Sequence, residues 1–126
     1  MKKIFILSFM LFLGTNYVFS ADWYANENKG FFIDKDSLIK TENSVKAWVL
    51  YVAHGKINNK KYAYTEQYME ARCSDKTTAT LEVVYFSRKH KSLASYNFGQ
   101  QNMIQYNRVV PDTRGEAIFN DLCSMR

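Results

Sequence analysis

The chain is 126 residues long with 17 Lys or Arg against 12 Asp or Glu, a formal charge of +5, and about one residue in six is aromatic. Such a length holds one core and excludes two-domain enzymes and large cofactor sites, while the density of aromatic and β-branched residues excludes disorder. Lys2 and Lys3 precede an apolar run from Ile4 to Leu13 broken only by Ser8, and Val18 and Ser20 sit at signal-peptidase spacing. Residues 1–20 therefore read as a signal peptide, its apolar run too short to span a bilayer. The exported domain, residues 21–126, keeps 15 Lys or Arg and 12 Asp or Glu, a charge of +3 that gives no ground for nucleic-acid binding. No second apolar run follows and no cysteine lies near the cleavage site, so the expected protein neither spans a membrane nor carries a lipid.

In chain order, Asp22 to Ala25 opens the domain, Asn26 to Gly30 is a turn, and Phe31 to Ile33 is a short strand ended by Asp34 to Ser37. Val45 to Ala53 is apolar on both alternations: Val45, Ala47, Val49 and Tyr51 on one, Trp48, Leu50 and Val52 on the other. That pattern predicts a central strand covered on both sides. His54 to Lys61, with Gly55, Asn58 and Asn59, reads as a polar loop. Tyr62 to Arg72 and Thr77 to Ser87 are two long strands joined by Ser74-Asp75-Lys76, short enough for a hairpin. In the first of them Ala63, Thr65, Gln67, Met69, Ala71 and Cys73 are assigned inward, and in the second Ala79, Leu81, Val83 and Tyr85 form one apolar set. Arg88 to Lys91 is the next turn, followed by weaker strand patterns at Leu93 to Phe98 and Met103 to Arg108.

The period then changes. Thr113-x-x-Glu116 is a capping box, and Ile118, Phe119, Leu122 and Cys123 form one face of a helix of about three turns. Cys73 and Cys123 are the only cysteines. In an oxidising compartment their default reading is one disulfide; two free thiols or half a metal site are the alternatives, and a spacing of fifty fits no zinc motif. A disulfide would pin the helix to the sheet and stabilise the fold by about 4 kcal/mol in the chain-entropy model.

These features resemble the surface-adhesin E family of exported bacterial proteins. The resemblance rests on Asp22-Trp23, Phe32-Ile33-Asp34 with Ser37, Val45 to Leu50, Gln67 to Cys73, Pro111-Asp112-Thr113, Gly115-Glu116-Ala117 and Cys123, and it covers nearly all of the exported part. It implies an α+β fold, a single antiparallel sheet of about six strands with the C-terminal helix tethered on it by the disulfide. It also implies a non-enzymatic adhesin that binds host matrix or serum proteins such as vitronectin, laminin and plasminogen. Carried over by position, its binding region is Lys60, Lys61, Tyr62, Tyr64, Tyr68, Arg72 and Lys76.

The residues themselves point away from catalysis. His54 and His90 are the only histidines and both lie in polar stretches; there is no Gly-x-Ser-x-Gly elbow, no helical His pair and no phosphate loop. Asp34 and Asp36 read as a turn rather than a cation site, because further oxygen ligands at metal spacing are missing. Neither a cofactor nor a metal is expected. Two surfaces can bind. The first is the Tyr62, Tyr64 and Tyr68 stripe with Arg72, Val84 and Phe86 nearby, which serves equally as a partner face, as cover for the sheet or as a homodimer interface. The second is the basic turn Arg88, Lys89, His90 and Lys91, with Lys56, Lys60 and Lys61 as neighbours, which reads as a solvated hairpin or as a patch for acidic glycans, lipopolysaccharide or acidic proteins. Export leaves periplasm or cell surface open, and the alternative to adhesion is a periplasmic envelope protein with a structural or hydrolase-inhibiting role.

Overall fold

The computed structural model describes residues 22–125; the signal-peptide reading of residues 1–20 lies outside them. Eight strands form one antiparallel sheet: β1 (Trp23–Asn26), β2 (Phe31–Asp34), β3 (Ile39–Lys40), β4 (Ser44–Ile57), β5 (Lys60–Arg72), β6 (Thr77–Phe86), β7 (Ser92–Asn97) and β8 (Asn107–Arg108). One helix follows, α1 (Arg114–Ser124). The six longer strands stand in the order β1-β2-β4-β5-β6-β7, while β3 pairs with β4 and β8 with β6. β2 and β3 thus share one edge of β4, and β7 and β8 share one edge of β6, each short strand covering part of a long one.

The helix lies on one face of β4 and β5. Phe31, Ile33, Val45, Ala47, Val49, Met69 and Ala71 turn towards it and are buried with Ile118, Phe119 and Leu122. This agrees with the inward assignment of Thr65, Met69 and Ala71 in β5. Cys73 and Cys123 form the disulfide, Cα atoms 5.8 Å apart, and hold the end of α1 to the end of β5. The helix begins as the capping box requires, with the Glu116 amide donating to Thr113 Oγ1 at 3.1 Å. The returning carboxylate takes a different donor, however. Glu116 Oε1 accepts from the Asp112 amide at 3.0 Å, one residue before the cap, and Asp112 sits at φ 64°. Asp34 likewise caps a short 3-10 turn, Lys35–Ser37, accepting from the Asp36 amide at 3.0 Å.

Four sequence expectations need correction. His54 to Lys61 is not a loop: β4 runs on to Ile57, β5 starts at Lys60, and Asn58 and Asn59, at φ 53° and 63°, make a two-residue turn of the type I′ sign. The apolar set of β6 is split between faces. Tyr68 pairs with Glu82 and Met69 with Thr80, so Leu81 is a bulge; Val83 then faces with Gln67, whereas Ala79 faces with Glu70 on the other side. Met103 to Arg108 contributes only the two-residue β8. Finally, the Trp48 and Leu50 side of β4 is half-buried rather than covered, and Val52 is exposed. Among the described residues, the only helix longer than a turn is on the opposite face.

Candidate functional site

β5 carries most of the residues expected to bind, and a 13-residue strand is on the order of 40 Å long. Lys60 and Lys61 therefore lie at one end and Arg72 and Lys76 at the other, as two cationic ends of one surface rather than one patch. Between them, on the face away from α1, runs an aromatic band. Trp48 and Tyr68, paired across β4 and β5, have ring centroids 5.3 Å apart. Tyr64 and Phe86, paired across β5 and β6, stack at 5.0 Å with planes 10° apart. Leu50 and Val84 share this face, as do Glu66 and Glu82. Ring pairs of this kind fix the side chains in place and, half-buried as they are, leave part of each Tyr and Trp towards solvent.

Burial raises the Tyr64 phenol, and the Glu66 charge adds to the effect, pushing its pKa up to about 12. The phenol, protonated at neutral pH like any tyrosine, holds its proton further into the alkaline range. Its oxygen lies 2.8 Å from His90 Nδ1, which fastens the β6–β7 turn to β5. Tyr68 is also raised, first by burial and then by Glu70 and Glu82.

Tyr62 does not continue the stripe. The hydroxyl end of its ring folds over Gly55, its cross-strand partner, so closely that a Cβ added there would meet Oη at 2.7 Å and ring carbons at 2.9 Å. It also meets Tyr85 edge-on at 4.9 Å, and Tyr85 in turn meets Tyr96 at 6.2 Å. Tyr85 pairs with Thr65, a residue of the helix-covered alternation.

At the other end Arg72 is held rather than free. Its guanidinium lies 3.6 Å above the Tyr106 ring, and its Nε is 3.7 Å from Glu70 Oε2. Glu70 is 7% exposed and accepts from Tyr106 Oη at 2.5 Å. Glu70 and Arg72 line an open cleft of about 390 Å³ together with Asn43, Ser44, Ser74 and Asp75. Lys76, at φ 57°, turns the hairpin and is exposed.

The basic turn Arg88, Lys89 and Lys91 lies with Lys60 and Lys61, because Phe86 pairs with Tyr64 near the start of β5. His54 is exposed on the extended end of β4, and His90 is engaged by Tyr64. Sequence reasoning did not place Trp48 in the candidate surface. The signal for it was present, an aromatic on the even alternation of β4, but its use depended on the β4–β5 register. Nor did it foresee Tyr106, which lies in the stretch expected as a weak strand but reaches Glu70 from just ahead of β8.

Among the described residues no helix is long and apolar enough to cross a membrane, and no group of three or more His, Cys, Asp or Glu is arranged to hold a metal ion. No curated protein matches the chain. A family model does match, that of surface-adhesin protein E, over residues 19–124. The antiparallel sheet, the tethered helix and this match over nearly the whole length agree: the chain belongs to the surface-adhesin protein E family.

Proposed function

We propose that the protein is an exported, non-enzymatic adhesin that binds host matrix or serum proteins through the face of β4, β5 and β6 opposite α1. The observation that carries this reading is the aromatic band of Trp48, Tyr68, Tyr64 and Phe86, half-exposed and bounded by cations at both ends. Protein interfaces have this composition: aromatic anchors at the centre, Arg among the hot spots and a polar rim. Lys60, Lys61, Arg72 and Lys76 supply the rim, and they favour partners with acidic segments.

Direct binding of the purified protein to immobilised vitronectin and laminin, at low and physiological salt, tests the reading. A saturable signal that survives physiological salt is expected. Tyr68→Ala should weaken it by roughly tenfold or more, the range of a hot-spot truncation. Reversing Lys60, Lys61 and Arg72 to Glu should weaken it further and flatten its salt dependence. Unchanged binding in both variants would remove this face from the account. A signal that vanishes with salt would reduce it to general charge attraction, and no signal at either salt would favour the periplasmic role.

A further inference from the structure

The two turns at the Lys60 end make a second surface, which shares only Lys60 and Lys61 with the rim of the aromatic face. β2 stops pairing with β4 at Tyr51, and β6 stops pairing with β5 at Tyr64. Beyond those points β4 and β5 pair only with each other in the sheet, as far as Ile57 and Lys60, and so form a two-stranded arm. Its base is fastened by Arg114, which donates to the carbonyl oxygens of Val52 and Gly30 and lies 4.0 Å over the Tyr51 ring. The β6–β7 turn lies alongside. Ser87 organises it, accepting from the amides of Lys89 and Lys91 at 3.3 and 3.2 Å, and His90 ties it to Tyr64.

Arm and turn carry Lys56, Lys60, Lys61, Arg88, Lys89 and Lys91, all exposed, and residues 53–63 and 87–91 contain no Asp or Glu. The two ion pairs among the described residues are elsewhere, Lys35 with Asp22 and Arg72 with Glu70. Moreover, Lys56 stands directly opposite Lys61 across the arm. A like-charge cross-strand pair destabilises a hairpin, and no carboxylate in either segment offsets it. An anion seated across the arm would.

We propose that this end of the sheet binds a linear sulfated polysaccharide. The cations are spread over two elements rather than converging on one pocket, which suits an extended polyanion and not a single small anion. The half-exposed Tyr62 ring, held over Gly55, adds an apolar face of the kind on which a sugar ring stacks. The apex is Asn58-Asn59, polar and without the aromatic anchors of a segment that inserts into a bilayer. This site shares Lys60 and Lys61 with the rim of the aromatic face but uses none of the band of Trp48, Tyr68, Tyr64 and Phe86, and it stands whether or not that face binds protein.

The test uses the full exported protein and a heparin oligosaccharide of defined length, with its desulfated form, polyglutamate and phosphatidylglycerol-containing vesicles as competitors. Binding at physiological salt is expected, weakened about tenfold or more by Lys60→Glu with Lys61→Glu, and also by the milder Arg88→Gln with Lys89→Gln. Lys40→Glu with Arg108→Glu makes the same charge change at exposed positions away from the arm and should leave affinity within about twofold. Tyr68→Ala should keep oligosaccharide binding, which separates this site from the proposed protein-binding face. Equal losses in the Lys60/Lys61 and Lys40/Arg108 pairs would overturn the site. Equal competition by polyglutamate or the desulfated chain would overturn the ligand, as would preference for vesicles or no binding at physiological salt.

Discussion

Tyr64 Oη and His90 Nδ1 lie 2.8 Å apart, so a residue in the middle of the sheet holds a turn at its end. The contact links the two surfaces described above, since Tyr64 also stacks on Phe86 in the aromatic band. The phenol carries its proton at neutral pH as any tyrosine does, so Tyr64 Oη can donate to Nδ1 in the tautomer that leaves that nitrogen bare.

This arrangement predicts an alkaline limb of stability. The folded Tyr64 titrates at about 12 and the ordinary phenol at 10.0. Between those values the unfolded chain has lost the proton that the folded chain still holds, so stability falls as pH rises through this window and is fully present below it. Ultraviolet titration should show Tyr64 in the last phenol step, and Tyr64→Phe should shrink that step by one phenol and flatten the limb. Tyr64→Phe that leaves the last step undiminished would show that another phenol is responsible.

The disulfide closes a loop of fifty residues that runs from the end of β5 through β6, β7 and β8 to the end of α1. Replacing both cysteines with Ser should cost about 4 kcal/mol in denaturant unfolding, with the native sheet signal retained at low temperature. Leu122, fully buried beside it, should cost 2–5 kcal/mol when cut to Ala, roughly the range for core leucines. A loss under about 1 kcal/mol in either case would mean that α1 is not docked as described.

Gly55→Ala should destabilise by roughly 1–3 kcal/mol, because its Cβ would fall 2.7 Å from Tyr62 Oη and 2.9 Å from ring carbons. In a Tyr62→Ala background the same substitution should be nearly neutral. A double-mutant cycle measures the difference. Additive costs would show that the ring does not cover the glycine.

Tyr106→Phe removes the hydroxyl that donates to the buried Glu70 carboxylate and leaves the ring under Arg72. The expected loss is about 1.5–3 kcal/mol, as for hydrogen bonds to charged groups. Thermal or chemical unfolding reads it directly. The Tyr106 phenol is raised by burial first and by Glu70 second, so it should also titrate late in the wild-type protein.

Local chemistry and alternation were sufficient for part of this architecture. Thr113 and Glu116 start a helix wherever the chain goes, because the cap bonds its own first turn. The Ser74 to Lys76 hairpin, the inward run from Thr65 to Cys73 and the pairing of the only two cysteines follow from spacing and composition alone. The surfaces were not legible in the same way. A bulge at Leu81 and another between Val52 and Gly55 change which side chains share a face, and a bulge is a property of two strands in register, not of either sequence. His54 to Ile57 is polar and reads as loop until β5 supplies its cross-strand partners. Tyr106 reaches Glu70 across 36 residues of chain, and Lys61 meets the charge of the β6–β7 turn only because β5 and β6 run antiparallel. Sequence determined the capped helix, the hairpin and the inward face of β5, whose causes are spacing and local chemistry; tertiary pairing decided where the long strands end and which aromatics and cations stand together, because that depends on register.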